Sequence, residues 1–310
     1  MALPTYAEIG SKKTFLAPYR AQKVRFTGFL LDAEPASLAK LCDVALTGPS
    51  GGAVDFRPAL PLALLSFASI GRLDSAEPPD ANVGWVPEKE AAFWILTVAK
   101  EERLVWYIPF IFVDSPNALL TGRGVEGFPK EMAEVDYDEA GPLEARAWVF
   151  PEFTPETEVV KRPVVTARRA PEGSGAETTW ETLEDAVRGI HDELLGASFP
   201  HTFSGFKLLF HVVEGLLLRE VTLVFLKQLR DSADSSRACY QAIVEAPLKV
   251  TGFRGGGILP GRWDIEVPDY ASHPVARDLG LDATKLRGKR GFWLDFDFRL
   301  EQGAAVWEAK

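Results

Sequence analysis

Lys130 stands in the segment of this chain whose residue types and order best suit covalent chemistry. It follows Thr121-Gly122-Arg123-Gly124-Val125-Glu126-Gly127-Phe128-Pro129, which is a Gly-rich bend, an aromatic ring and a rigid proline. An amine held against apolar groups resists charging, because a low-dielectric surrounding penalises the ammonium. The uncharged amine attacks a carbonyl carbon, and the resulting imine draws electrons out of a bond next to the former carbonyl. Pro129 fixes the backbone just before the amine, which suits a reaction that needs its nitrogen at a defined approach. The plain alternative is a solvated loop lysine, the fate of most lysines.

The same stretch resembles the active-site segment of the acetoacetate decarboxylase-like family, which reads roughly Gly-Arg-Glu-x-x-Gly-Phe-Pro-Lys-Lys-Leu. Gly122, Arg123, Gly127, Phe128, Pro129 and Lys130 match. Gly124 stands where Glu is usual, and Glu131 where the decarboxylases carry a second lysine. Lys23–Leu41, Leu223–Val250 and Gly291–Leu300 look like the family's early strand-helix unit, late strand pair and closing strand. The resemblance thus covers most of the chain, although Thr154–Phe203 has no counterpart. It implies an α+β, mainly antiparallel fold, a closed cone or barrel-like sheet around the lysine with a few flanking helices, and a homo-oligomer.

Further site residues follow from the resemblance. Glu88, in Gly84-Trp85-Val86-Pro87-Glu88, matches the position of an acidic active-site residue that moves protons. Its competing reading is a turn residue in a charged cluster with Lys89 and Glu90. The family's other acidic pocket residue falls near Leu64–Ala68, where this chain has no carboxylate. Glu126 and Glu131 flank the lysine and are candidates to replace it as general acid and base. A carboxylate at Glu131 would favour the ammonium form of Lys130, unless it turns away to pair with an arginine. Arg20, Arg25 and Arg123 are candidates for a substrate carboxylate, since a guanidinium binds both oxygens at once. Phe128 completes the expected substrate-binding set.

The elements that must position these residues read mostly as strands: short apolar or alternating runs rich in aromatic and β-branched residues, broken by Gly, Pro and Asp. The spacing predicts strands at Lys23–Leu31, Leu62–Ile70, Ala92–Val98, Leu104–Val113, Ala145–Phe150, Phe206–Val213, Ala238–Val244, Lys249–Phe253 and Gly291–Leu300. In the last, Phe292, Leu294, Phe296, Phe298 and Leu300 form a dry face. Helices are predicted over Glu34–Val44, with Pro35 in its first turn, and Thr179–Leu195, where Thr182 precedes Asp185 at capping distance. We read 1–310 as a single domain with an insertion at about 151–203.

Composition bounds the function. With 310 residues, 46% hydrophobic and 25% charged, the chain has an ordinary globular make-up and length enough for a sizeable core. Its 34 basic and 44 acidic residues give a net charge of −10, and no general cationic field draws a nucleic acid. The N-terminus lacks an apolar run of signal-peptide length, and Leu208–Leu226 carries His211, Glu214, Arg219 and Glu220, so neither an export signal nor a membrane span is read. Cys42 and Cys239 are too few for a disulfide framework and are expected to be buried apolar residues of a cytoplasmic protein.

Other motifs are set aside. Gly122-x-Gly124-x-x-Gly127 fits the dinucleotide fingerprint by letters, but about eight loop residues separate it from the preceding strand and Pro129 follows. Ser204-x-x-Lys207 lacks its companion motifs. His191, His201, His211 and His273 lack close ligand spacing, so no metal is expected, nor any cofactor. Gly255-Gly256-Gly257 is read as a mobile flap or a hairpin turn.

Three functions are carried forward. Foremost is a lyase that decarboxylates a small β-keto acid through an imine on Lys130. The second is a pyruvate-dependent aldolase or dehydratase using the same lysine, toward which Glu131 points. The third is a non-catalytic binder of a small keto acid or ketone.

Overall fold

The computed structural model describes residues 5–7, 14–138, 144–151, 156, 158–170, 178–190, 192 and 220–309. In chain order the elements are β1 (Tyr19–Asp32), α1 (Pro35–Cys42), β2 (Arg57–Pro58), β3 (Leu62–Ser75), β4 (Val86–Val98), β5 (Leu104–Val113), α2 (Pro116–Thr121), β6 (Lys130–Met132), β7 (Glu134–Asp136), β8 (Glu144–Val149), β9 (Arg162–Arg169), β10 (Thr178–Trp180), α3 (Leu183–Ile190), β11 (Glu220–Arg230), β12 (Ala238–Ile258), β13 (Trp263–Glu266), β14 (Gly291–Leu300) and β15 (Ala304–Glu308). Two long runs predicted as separate strands, Ala238–Val244 and Lys249–Phe253, are parts of β12, and its end contains Gly255-Gly256-Gly257. That triplet is strand rather than flap or turn; β10 pairs with it through Trp180 opposite Gly256.

Neighbouring strands close on themselves in the order β1, β3, β4, β5, β11, β12, β14 and back to β1. All these pairings are antiparallel except β5 with β11. The result is a mainly antiparallel, ring-like sheet, as the alternating sequence requires of strands with one inner and one outer face. A bulge at Lys23, whose φ is 54°, shifts the register between Ala21 and Val24. It also resets the alternation of β1, so that Tyr19 and Ala21 before it and Val24 and Phe26 after it all face inward. The predicted dry face of β14 lines the inside, with Phe292, Leu294, Phe296 and Phe298 around a central cavity.

The outer face of β1, β3 and β4 is covered by a second antiparallel sheet, in the order β13, β9, β8, β7. Phe29, Phe67 and Phe93 from the ring meet Val165 and Trp263 from that sheet, and Tyr137 just past β7, in the largest of the hydrophobic cores. Helix α1 adds Leu38 and Cys42 to the same core. Cys42 is buried as expected, whereas Cys239, near the start of β12, is exposed.

The predicted helix at Thr179–Leu195 forms over Leu183–Ile190, with Thr182 accepting from the Asp185 backbone and donating to its carboxylate. Its first predicted residues belong to β10 instead, held by pairing to β12. The strand expected at Phe206–Val213 lies outside the described residues. Among the described residues no helix is long and apolar enough to cross a membrane.

Candidate active site

Lys130 opens β6, a short strand laid parallel to β5 with Lys130 opposite Ile111. The path from β5 is a short helix and a wide turn rather than the loop residues expected. Ser115 caps α2 by accepting from the Ala118 amide, Pro116 starts the helix, and a wider turn runs through Gly122–Glu126. Two glycines make this path possible. Gly127 adopts φ 99°, and a Cβ there would lie 2.6 Å from Cα of Lys227. At Gly122 a Cβ would lie 2.7 Å from Cδ of Lys130, so the missing side chain gives the lysine stem its place.

The lysine is 7% exposed. Its Nζ donates to Oε1 of Glu88 over 2.8 Å, and Glu88 is 2% exposed. Phe128 lies beside the amine, with Nζ 5.5 Å from the ring centre, and its other side meets Phe225 at 3.9 Å between centroids. A buried amine and a buried carboxylate therefore face each other inside an apolar wall, an arrangement that stands only because each partners the other.

Glu90 joins them. Residues 88 and 90 share a face of β4, since alternate side chains of a strand point the same way. Burial, and next the negative charge of Glu88, push the Glu90 carboxyl up to about 7, against the pull of Lys130. Three ionisable groups thus form one cluster: an amine, a carboxylate bonded to it, and a carboxyl poised between its two forms at neutral pH.

The other predicted residues are distributed around this cluster rather than in it. Glu131, next in the chain to Lys130, emerges from the opposite face of β6 and meets Nε2 of His273 at 2.6 Å. Its partner is that histidine and not the arginine expected. Glu126 is buried, within 3.5 Å of the Tyr19 hydroxyl, and burial raises its carboxyl while Lys227 opposes the shift. Arg123 donates to the Lys130 carbonyl oxygen over 2.7 Å and so fastens the turn to β6.

Arg20 and Arg25 alternate with the inward residues of β1 and point outward. Arg20 and Arg72 both bind the buried Asp74. Arg25 pairs with Asp295 at 2.9 Å and lies 3.9 Å over the Trp293 ring. The bulge at Lys23 that sets these directions left no clear mark in the sequence.

Residues 55–186 match the family model described as Acetoacetate decarboxylase (ADC), and this stretch contains both Glu88 and Lys130. An acetoacetate decarboxylase from Legionella pneumophila superposes with a TM-score of 0.63 at 12% identity, covering 98% of this chain and 93% of that one. The fold of this chain is acetoacetate decarboxylase-like. The enduracididine biosynthesis enzyme MppR, solved with the condensation product of pyruvate and imidazole 4-carboxaldehyde, superposes with a TM-score of 0.58 at 14% identity, covering 95% and 91% of the two chains. An acetoacetate decarboxylase-like enzyme from Sphingomonas wittichii RW1 gives 0.56 at 16% identity, over 99% of this chain and 100% of that one. No curated protein matches the chain. At these identities the structural likeness establishes the acetoacetate decarboxylase-like fold.

Two residues of the site were missed by reading the sequence. Glu90 had a signal, because Glu88-x-Glu90 on a strand places both carboxyls on one face. His273 had none: it reaches Glu131 across 142 positions of the chain.

Proposed function

We propose that this protein is a lyase that forms an imine between Lys130 and a β-keto acid and releases carbon dioxide. The carrying observation is the buried 2.8 Å contact between Nζ of Lys130 and the Glu88 carboxylate. Glu88 accepts a proton from the ammonium, and the free amine adds to the ketone carbon. A proton returned to the carbinolamine oxygen lets water leave and gives the protonated imine. The electrons of the bond between the carboxylate and its neighbouring carbon then move toward the imine nitrogen, carbon dioxide departs, and an enamine remains. The protonated form of Glu90 is suited to deliver a proton to the enamine carbon, after which water releases the ketone product and the amine.

Arg123 holds the strand that carries Lys130, and its remaining donors are the best candidates for the substrate carboxylate. Arg20 and Arg25 have no part in this reading, and Glu126 and Glu131 serve the frame around the amine. The likeness to MppR favours a second reading, in which a pyruvate-like acid forms the same imine and its enamine adds to an aldehyde. A carbon dioxide release assay on a panel of 3-oxo acids tests the first reading. Wild-type turnover, lost in Lys130→Ala and reduced about 10²–10⁴-fold in Glu88→Gln, supports it; aldehyde consumption with pyruvate and no carbon dioxide release supports the second.

A further inference from the structure

The ring encloses far more space than a small keto acid fills, and of the site's three ionisable groups Glu90 lines it. A cavity of about 240 Å³ runs through its interior, walled by carbon from residues such as Phe26, Trp106, Phe253 and Phe296. Trp94 also lines it, and the Trp94 indole N–H is already given to the Ser66 hydroxyl over 2.8 Å, so that this side chain offers the cavity its ring alone. Among the described lining residues only Glu90 and Glu220 carry charge. They mark two ends. Glu90 sits with Glu88 and Lys130, and the lining residue Ile70 is the cross-strand partner of Glu88. Glu220 is exposed and pairs with Lys249 at the rim.

A cavity of this lining is not a place for water, which needs two to four polar partners. It is costly empty, since its walls lack contact atoms on one side. One water takes roughly 10–15 Å³ of such space, so the cavity has room for on the order of ten or more non-hydrogen atoms. A three- or four-carbon acid bound at Lys130 would leave most of it vacant.

We infer that the substrate carries a hydrocarbon tail: a medium-chain β-keto acid whose carbonyl carbon meets Lys130 while its tail lies along the ring interior toward the Glu220 rim. The inference rests on the imine reading for its head group, but the tail site stands on the cavity alone. Specificity then comes from the apolar wall. Each methylene taken from water into it adds affinity, roughly threefold to fourfold per carbon, until the cavity is full.

Two series separate the tail site from the chemistry. The first measures, by calorimetry on the wild-type protein, binding of neutral 2-alkanols from 2-butanol to 2-decanol, which form no imine. The second measures kcat/KM and borohydride-trapped adduct on Lys130 for the 3-oxo acids of the same lengths. Affinity and kcat/KM that rise together with chain length support the proposal. Alkanol affinity that rises while no 3-oxo acid labels Lys130 supports the tail site and overturns the imine reading. Alkanol affinity that stays flat overturns the tail site, as it would if the chain's own residues filled the cavity, whatever Lys130 does. Val250→Trp, at the rim beside Lys249, is expected to lower kcat/KM for 3-oxodecanoate at least tenfold and to leave 3-oxobutanoate unchanged; an equal effect on both contradicts the proposal.

Discussion

Ala68 and Glu90 are cross-strand partners in the β3–β4 pair, and their side chains stand side by side on the inner face of the ring. The run Leu64–Ala68 offers the cavity no carboxylate, and the strand beside it supplies one at that level. Glu90 thereby places a second carboxyl next to Glu88 without any acid in the Leu64–Ala68 run of β3, and both act on the amine of Lys130.

The Glu90 carboxyl titrates near 7, so the acid form needed to protonate the enamine is lost as pH rises through that value. Turnover in the wild type is expected to fall along a limb with its midpoint near pH 7, and Glu90→Gln is expected to lack that limb. Stability follows the same proton. Glu90 holds it more tightly folded than unfolded, where its pKa is about 4.5, so its contribution declines as pH rises from about 4.5 through about 7. Urea titrations at pH 5 and pH 8 should therefore show wild type losing stability relative to Glu90→Gln at the higher pH. An unchanged difference would exclude this assignment.

Gly122 tests how finely the amine is placed. Gly122→Ala puts a methyl group 2.7 Å from Cδ of Lys130, and the flexible lysine stem is what must yield. A displacement of about 1 Å at a reacting group costs on the order of a hundredfold in rate. The expected result is a fall in kcat of that size with a melting temperature that moves little. A variant that turns over normally would mean that the stem has another path.

Much of this was legible in advance, and the reasons differ by residue. The dry face of β14 was plain because Phe292, Leu294, Phe296 and Phe298 alternate without interruption, and β5 was bounded correctly by the chain breakers around it. Lys130 was marked by its neighbours: Gly122 and Gly127 are glycines for steric reasons, and steric need leaves a local trace. The direction of Arg25 was hidden, because a bulge at a single residue, Lys23, reverses which side chains of β1 face inward. Glu131 was hidden for a different reason. Its partner His273 comes from a loop after β13, and no local pattern encodes a contact made by tertiary packing.

Glu131 gives a clean control. It stands where the decarboxylases carry a lysine, yet it emerges on the face away from the amine and its side chain is 44% exposed. A side-chain contact to a carboxylate that exposed contributes about 0–1 kcal/mol. Glu131→Gln is thus expected to change kcat/KM by less than about threefold and the melting temperature only slightly. A loss of catalysis without loss of fold would show that Glu131 acts on Lys130 after all.

The most direct test of the central claim is chemical capture. Protein incubated with a 3-oxo acid and borohydride, then digested and weighed, is expected to carry the reduced product adduct on the peptide containing Lys130, and Lys130→Arg is expected to carry none. Unmodified Lys130 across the whole chain-length series, with turnover intact, would contradict the account.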